Sequence, residues 1–549
     1  MQFVVLILAG WAQSLSLAWP FGVEVPVLGI LRGQALWWLQ ILAMAVFARS
    51  LLSAVTLKQV AWRSWLFSTA WLCGSVWWLY VSMHTYGGLA PWLAAFAVLL
   101  LSACMALFYV MVCLIFHQIS TKSVKNESNL TLASVFNACG AIIFASCWML
   151  AEMARGTWLT GFPWGAVGYS HLDGPLAGLA SYVGVYGMSF VAAFAAMALA
   201  QWLGRVSKTS SKTQYIGFMK IQGLTVLMVL LAAWALGLPS KQALAVDAAL
   251  PKALNVTLLQ GNIPQNEKFQ AGSGVTTALA WYAEQLDKVQ TGLVVTPETA
   301  IPLLPQSLPP EYWRNVQQSF KLENGQKAAL IGIPKGDRIT GFSNSVVGFK
   351  PTALPLSAPY QYDKDHLVPF GEFIPPFAQW FIDMMKIPLG VFVRGGTQQP
   401  PFYWQGQRLG LNICYEDLFG EELAGRFANP AVAPTMLVNL TNIAWFGNTI
   451  AIDQHLNIAR LRSMELAKPS IRATNTGATV IIDAQGKVTH SIERHTRGVL
   501  VGQVWGNTVV TPYAAWVSRF WLWPLWGFGA CVLALAAWFK SRERSKSVL

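Results

Sequence analysis

Leu411-Asn412-Ile413-Cys414-Tyr415-Glu416-Asp417 places a thiol and two carboxylates directly after a short apolar run. Runs of this length and composition, bounded by polar residues, are typical of buried β-strands. A second run, Leu293-Val294-Val295-Thr296-Pro297-Glu298, ends in a carboxylate in the same way. Between them in the chain lies a dense polar cluster, Tyr362-Asp363-Lys364-Asp365-His366-Leu367-Val368-Pro369-Phe370-Gly371-Glu372.

The segment around these motifs, from about residue 245 to residue 510, alternates short β-rich runs with helical patterns. This alternation predicts a layered α/β domain, in which functional groups gather beyond the carboxyl ends of the strands. The predicted strands are Asn255–Gln260, Gly292–Thr296, Ala328–Ile333, Ser345–Phe349, Leu409–Cys414, Met436–Leu440, Thr479–Asp483 and Gly498–Val504. The predicted helices are Val275–Gln290, Pro310–Leu322, Gly420–Phe427 and Ile450–Leu466.

Long uncharged runs flank this domain and predict membrane spans. Of the 549 residues, 54% are hydrophobic and 11% charged, whereas soluble proteins have about 25% charged residues. A helix that crosses the hydrocarbon core needs about 20 apolar residues. We therefore predict eight spans from seven uncharged runs, because the long third run holds two of them. The runs are Gln2–Val23, Gly33–Ala48, Ser64–Thr121, Ser128–Ala151, Gly174–Gly204, Ile221–Ser240 and Phe520–Phe539. A signal peptide at the start is less favoured, because the first run lacks a basic region and further spans follow at once.

These boundaries divide the chain into a membrane domain over residues 1–240, an α/β domain over 245–512, an eighth span over 515–540 and a basic tail over 541–549. The middle segment contains 22 Lys+Arg and 20 Asp+Glu, so most of the net charge of +13 belongs to the hydrophobic flanks. That distribution is typical of membrane topology signals and argues against nucleic-acid binding.

Basic residues orient the predicted spans. The loops after even-numbered spans and the tail are rich in Lys and Arg, whereas the short loops after odd-numbered spans contain only Arg32 and Arg155. The positive-inside rule then places both termini in the cytoplasm and the middle segment outside, which is the periplasm if the cell is a Gram-negative bacterium. The chain is predicted to be a multi-pass membrane protein.

The three polar motifs contain the groups that thiol catalysis requires. Glu298 can take the proton of a thiol, and Lys364 can lower the pKa of the Cys414 thiol and stabilise an oxyanion. Each residue also has a purely structural interpretation. Glu298 could be a solvated residue at a strand end, and Cys414 could be an inert core residue. Lys364 could form a surface ion pair with its flanking acids. Cys414 is the one Cys of the middle segment, so a disulfide or a two-thiolate metal site within that segment is excluded.

The same motifs resemble the Glu-Lys-Cys triad of the nitrilase superfamily, and the whole chain resembles its membrane-bound branch, the apolipoprotein N-acyltransferase family. Soluble nitrilases lack the membrane spans. The matching stretches, spread over most of the chain, are Leu159-Thr160-Gly161-Phe162-Pro163-Trp164, Gln260-Gly261-Asn262-Ile263-Pro264-Gln265, Thr296-Pro297-Glu298-Thr299, Lys364 through Glu372, Cys414-Tyr415-Glu416 and Asn442-Ile443-Ala444-Trp445-Phe446-Gly447.

The resemblance implies an eight-span membrane domain joined to an αββα sandwich, and a ping-pong transfer that needs neither cofactor nor metal. The sn-1 acyl chain of a phospholipid, with phosphatidylethanolamine as the expected donor, would pass through a Cys414 thioester to the α-amine of a diacylglyceryl-Cys apolipoprotein. The implied site residues are Glu298, Lys364 and Cys414 as catalytic groups, Glu372, Tyr415 and Glu416 in support, and Phe269, Trp445 and Phe446 as substrate contacts. Phe269 departs from the Trp expected in many family members. A monomer in the lipid bilayer is expected.

The apolar segment Phe373–Val393, interrupted by Pro and Gly, is predicted to form a lid that dips into the lipid interface. The alternative is a loop packed on its own domain. Three other functions are weighed: a membrane-anchored amidase with water as acceptor, a transporter with an external domain, and a Cys–His hydrolase that uses His366. The nearly charge-free spans argue against a transporter, and the apolar segment argues against the amidase.

Overall fold

The structure, a computed structural model, describes residues 1–22, 30–120, 130–206, 253–320, 326–351, 359–375 and 392–548. The chain forms two compact units. One comprises Met1–Trp77, Ala95–Ser240 and Phe520–Leu549, and the other comprises Trp78–Ala94 and Lys241–Arg519. The predicted boundaries near residues 240 and 512 lie close to these limits, although Trp78–Ala94 groups with the second unit.

Apolar α-helices form the first unit. They are Gln2–Leu15, Trp37–Leu52, Leu57–Val76, Pro91–Ser120, Leu130–Thr157, Ala180–Val206 and Trp523–Val548. By length and composition, three segments of the described chain could cross a membrane: Pro91–Ser120, Ala177–Gly204 and Trp523–Arg542.

The eight-span count remains a prediction. Gln2–Leu15 and Trp37–Leu52 are apolar but have 14 and 16 residues, fewer than the ~20 needed to cross the hydrocarbon core without local thinning of the bilayer. The predicted seventh span, Ile221–Ser240, lies outside the described residues.

Two six-stranded sheets form the second unit. Their strands are β1 Leu254–Gln260, β2 Thr291–Val295, β3 Gln326–Asp337, β4 Gly341–Phe349, β5 Tyr360–Asp363, β6 Phe402–Trp404, β7 Gln407–Ile413, β8 Met436–Thr441, β9 Ser470–Thr474, β10 Val480–Ile482, β11 Val488–Ser491 and β12 Gly498–Val504. The strand order is β12-β1-β2-β3-β4-β5 in the first sheet and β11-β10-β9-β8-β7-β6 in the second. In each sheet three neighbouring strands are parallel, β1-β2-β3 and β7-β8-β9.

Alternate residues of the parallel strands face opposite layers. Val295 of β2 belongs to the apolar cluster shared by the two sheets, whereas Val294 packs against the helices on the outer face of the first sheet. Val438 and Leu437 divide in the same way in β8. Because the side chains of a strand alternate with a period of two, a fully apolar strand buries both faces. The unit is therefore a sandwich of two sheets between helical layers.

The outer helices are short. They are Thr276–Lys288, Pro310–Gln318, Gly420–Gly425, Ala451–Leu466 and Pro512–Phe520. The first two pack on the first sheet, and Gly420–Gly425 and Pro512–Phe520 pack on β8 of the second sheet. Ala459 of Ala451–Leu466 contacts Val480 and Ile482 of β10.

Most predicted strands and helices of the second unit are confirmed, but several of their ends were placed wrongly. Thr296 and Cys414 lie outside β2 and β7, and Cys414 leaves the extended conformation with φ 51°. The sequence pattern also missed β5, β6, β9 and β11. In β9, for example, buried Arg472 interrupts the apolar run.

Candidate active site

A sharp turn presents the Cys414 thiol. Cys414 follows β7 and starts the 3-10 turn Cys414–Leu418. Its φ of 51° lies in the left-handed region, which costs a non-glycine residue roughly 1–2 kcal/mol per residue. Cys414 is half-buried as a residue, and the turn holds it at the carboxyl end of the strand.

Glu298 reaches the same edge from the loop after β2. Its Oε1 accepts a hydrogen bond from Asn344 Nδ2 at 2.6 Å, and its Oε2 accepts one from the backbone N–H of Asn442 at 2.8 Å. Asn344 is a residue of β4, and Asn442 directly follows β8. Both sheets therefore orient one buried carboxylate.

Lys364 lies directly after β5 and is 1% exposed. Its Nζ is 3.0 Å from Glu372 Oε1 and 3.4 Å from Glu298 Oε1. Burial disfavours the ammonium form, but the Glu372 and Glu298 carboxylates outweigh it, so the pKa of Lys364 is raised. The lysine is therefore a fixed positive charge.

The electrostatic surroundings of Cys414 include both of these groups. Burial and the negative charge of Glu298 raise the pKa of the thiol to about 12, although Lys364, the Thr441 hydroxyl and the Asn442 N–H act in the opposite direction. The thiol is therefore protonated at neutral pH and needs a base at the moment of attack. The Asn442 N–H contacts both the thiol and the Glu298 carboxylate.

The supporting residues tie the loops together. Glu372 Oε1 also accepts from Asn344 Nδ2 at 2.9 Å, and its Oε2 accepts from the Val368 N–H at 2.8 Å. Glu416 is buried and accepts backbone hydrogen bonds from Ile413 at 2.6 Å and from Asp365 at 2.7 Å. Both glutamates therefore join the Lys364 loop to its surroundings.

A series of hydrogen-bonded side-chain amides at the same edge was not predicted from the sequence. Asn442 Nδ2 donates to Gln265 Oε1 at 2.9 Å, and Asn475 Nδ2 donates to Asn442 Oδ1 at 3.2 Å. Asn475 also accepts from the backbone N–H of Ile263 at 3.0 Å. The loops after β1, β8 and β9 are thus linked. The motifs that begin at Gln260 and Asn442 marked these loops, but nothing in them distinguished an orienting amide from a surface amide.

The predicted substrate contacts lie on loops that border Glu298. Phe269 is 58% exposed and follows Lys268, whose Nζ donates to the Glu298 carbonyl oxygen at 3.1 Å. Trp445 is 41% exposed with its ring edge near Tyr86, and Phe446 packs against Trp78 with a centroid distance of 4.3 Å. Most of the predicted lid, residues 376–391, lies outside the described chain.

Tyr415 and His366 form an aromatic cluster beside the nucleophile turn. The His366 ring stacks on Phe419 with a centroid distance of 3.4 Å and lies 5.7 Å from the Tyr415 ring. Its Nδ1 is 2.8 Å from Glu422 Oε1. These contacts give His366 a packing role and do not favour the Cys–His hydrolase hypothesis.

Two family models match parts of this chain. Residues 15–198 match the family model of the apolipoprotein N-acyltransferase N-terminal domain, and residues 255–511 match that of carbon-nitrogen hydrolase. Among solved structures, Nit3 of Saccharomyces cerevisiae, a nitrilase-superfamily member, covers 47% of this chain and 93% of its own with 14% identity and a TM-score of 0.35.

Two curated relatives extend the similarity over nearly the whole chain. An apolipoprotein N-acyltransferase of Verminephrobacter eiseniae is 48% identical over 94% of this chain and 92% of its own length. One of Ralstonia nicotianae is 40% identical over 91% of this chain and 89% of its own. The chain therefore belongs to the apolipoprotein N-acyltransferase family.

Proposed function

We propose that this protein transfers an acyl chain from a phospholipid to the α-amine of the diacylglyceryl-Cys at the N-terminus of apolipoproteins, through a thioester on Cys414. The observation that carries the proposal is the convergence of one carboxylate, one ammonium and one thiol at the carboxyl ends of β2, β5 and β7. Membership of the family supports the substrate class, because the curated relatives are named for N-acylation of apolipoproteins.

In the first half-reaction Glu298 removes the proton of the Cys414 thiol as the sulfur attacks the sn-1 ester carbonyl of phosphatidylethanolamine. Lys364 and the backbone N–H of Tyr415 stabilise the oxyanion of the tetrahedral intermediate. The ester C–O bond then breaks, and the leaving alkoxide takes the proton from Glu298. Lysophospholipid departs, and the acyl group remains on the sulfur as a thioester.

In the second half-reaction the apolipoprotein amine attacks the thioester carbonyl. Glu298 accepts a proton from the amine, the C–S bond breaks, and the proton returns to the sulfur. An amide replaces a thioester, which is downhill, so the transfer needs no further energy source. Glu372 and Glu416 position Lys364 and the nucleophile turn, and Phe269, Trp445 and Phe446 contact the lipid chains.

The proposed setting is the bacterial inner membrane, with eight spans, cytoplasmic termini and a periplasmic catalytic unit. The distribution of Lys and Arg among the loops supports this orientation. The segment Phe373–Val393 would contact the lipid interface and admit the donor. Each chain carries a complete set of the three catalytic groups, so we propose that it acts as a monomer.

The decisive experiment exposes the purified full-length protein to phosphatidylethanolamine in mixed micelles and measures its intact mass. We expect one added acyl chain that neutral hydroxylamine removes. Adding a synthetic diacylglyceryl-Cys peptide with a free α-amine should then release the adduct and give an N-acylated peptide.

The matched variants are Cys414→Ala and Cys104→Ala, since Cys104 is a free cysteine of the helical unit. The first should take up no acyl chain, and the second should behave as the parent protein. An adduct on Cys414→Ala, or release of free fatty acid in place of the N-acyl peptide, would contradict the transferase mechanism. The second result would favour a hydrolase with water as acceptor.

A further inference from the structure

A second buried ammonium lies beside the proposed base. Lys268, in the loop after β1, is 3% exposed, and its Nζ donates a hydrogen bond to the backbone carbonyl of Glu298 at 3.1 Å. Its electrostatic partners are the Glu298 carboxylate and the Cys414 thiol. A lysine seldom becomes fully buried without a partner that requires it, and the mechanism above assigns it no task.

Tight packing holds Lys268 in place. The Glu267 N–H donates to the Pro264 carbonyl at 3.0 Å, and the Gln270 N–H donates to the Glu267 carbonyl at 2.7 Å. Gly274 lies against this turn, because a Cβ at residue 274 would be 2.2 Å from the Glu267 carbonyl oxygen and 2.9 Å from the Lys268 Cα. The ammonium is therefore positioned by a closed turn.

The charges around the sulfur require a second cation. Glu298 and Glu372 contribute two negative charges, whereas Lys364 contributes one positive charge. Proton transfer from Cys414 to Glu298 moves a negative charge from oxygen to sulfur but leaves this total unchanged. Without Lys268 the group would carry a net charge of −1 throughout the reaction, and that excess would disfavour both the thiolate and the oxyanion.

We propose that Lys268 is a positioning residue that balances the charge of the active site, and that its ammonium stabilises the Cys414 thiolate and the oxyanion that follows it. This inference rests on the proposed function, in which Cys414 is the nucleophile. Burial lowers the pKa of Lys268 to about 8, against the opposing effect of Glu298 and Cys414. The ammonium form therefore still predominates at neutral pH.

The test measures thiolate formation without any lipid. Iodoacetamide alkylates the full-length protein between pH 7 and pH 10, and peptide mass spectrometry follows the Cys414 peptide alone. Lys268→Gln removes the charge but keeps an N–H donor for the Glu298 carbonyl, whereas Lys268→Arg keeps the charge. We expect Lys268→Gln to slow alkylation about tenfold at pH 7, equivalent to a rise of about one unit in the thiol pKa. The difference from the parent should shrink above pH 8, where the parent lysine loses its charge. Lys268→Arg should stay within about twofold of the parent at pH 7.

Lys327 supplies the matched control. It is also 3% exposed, and its Nζ donates to the Leu286 carbonyl at 3.1 Å. Lys327→Gln should leave the Cys414 rate unchanged. Parental alkylation in Lys268→Gln, or faster alkylation from a loosened fold, would overturn the charge-balancing role. Because alkylation needs neither donor nor acceptor, a failure of acyl transfer in the parent protein would contradict the proposed function and leave this result intact.

Discussion

Cys414 combines a strained backbone with a thiol that is neutral at rest. The left-handed φ of 51° directs the side chain away from the path of β7, and burial together with the Glu298 charge raises the thiol pKa to about 12. A preformed thiolate is thus disfavoured, which protects the sulfur from nonspecific oxidation and alkylation. In the proposed mechanism, the thiol becomes reactive when Glu298 takes its proton during attack on a substrate carbonyl.

This arrangement predicts opposite effects of Glu298→Gln on two reactions of Cys414. Thioester formation should fall by about 10²- to 10⁴-fold, because the general base is lost. Alkylation by iodoacetamide at pH 9 should become severalfold faster, because removing the negative charge lowers the thiol pKa. The measurements are acyl-adduct kinetics and mapping of the Cys414 peptide.

Glu284→Gln is the control for Glu298→Gln, since Glu284 pairs with Lys288 on the protein surface. It should alter neither rate. If Glu298→Gln slowed alkylation as well as acylation, Glu298 would be needed to form the thiolate at rest, and the concerted proton transfer would be wrong.

At the scale of elements, the site depends on loops that are joined through buried carboxylates. Glu416, two residues after Cys414, accepts backbone hydrogen bonds from the Lys364 loop and from the end of β7. It also accepts from Tyr362 Oη at 2.9 Å. The carboxylate therefore fixes the distance between the lysine and the nucleophile turn.

Glu416→Gln should destabilise the catalytic unit by about 1–3 kcal/mol. Oε1 accepts the Asp365 N–H and Oε2 accepts the Ile413 N–H, so a glutamine in either orientation turns its amide N–H₂ toward a backbone N–H. Thermal unfolding in detergent should show a lower midpoint, together with slower acyl-adduct formation.

Glu421→Gln is the matched substitution. Glu421 is also buried, and burial raises the pKa of its carboxyl to about 8, so it is already mostly neutral at pH 7. Replacement by the neutral amide should move the unfolding midpoint little at that pH. Equal losses in the two variants would mean that Glu416 has no special linking role.

At the scale of the whole molecule, an apolar helical unit and an α/β unit occur in one chain. The flanks contain most of the excess positive charge, and the proposed orientation follows from its distribution among loops. Donor lipid and thiol must meet outside the cytoplasm if the transfer is to act on exported apolipoproteins. The orientation of the chain is therefore as important to the proposed function as the triad.

Cysteine labelling tests this orientation. Ser307 of the α/β unit and Ser541 near the C-terminus are both exposed. In intact spheroplasts a membrane-impermeant maleimide should modify Ser307→Cys and spare Ser541→Cys, and permeabilisation should expose both. Peptide mass spectrometry separates these sites from the native cysteines. Modification of Ser541→Cys alone before permeabilisation would invert the proposed topology.

The candidate residues of the site could be predicted from the sequence because each belongs to a short contiguous motif. Apolar runs that end at Glu298 and Cys414 mark strand ends, and the density of charge around Lys364 marks a functional loop. The hydropathy pattern did not predict two of the strands. The residues of edge strand β11 are mostly exposed, and β9 contains polar residues. In both strands tertiary pairing overrides weak local preference.

The sequence by itself determined the apolar flanks, the approximate positions of most strands and the three side chains proposed to be catalytic, because hydropathy and residue chemistry are local properties. Only the tertiary structure decided that Asn344 and Asn442 orient Glu298 and that Lys268 lies beside it. Glu298 and Asn442 are separated by 144 residues. Hydrogen bonds over such distances depend on how two sheets pack, and a polar partner that occurs once in the chain leaves no periodic signal in the sequence.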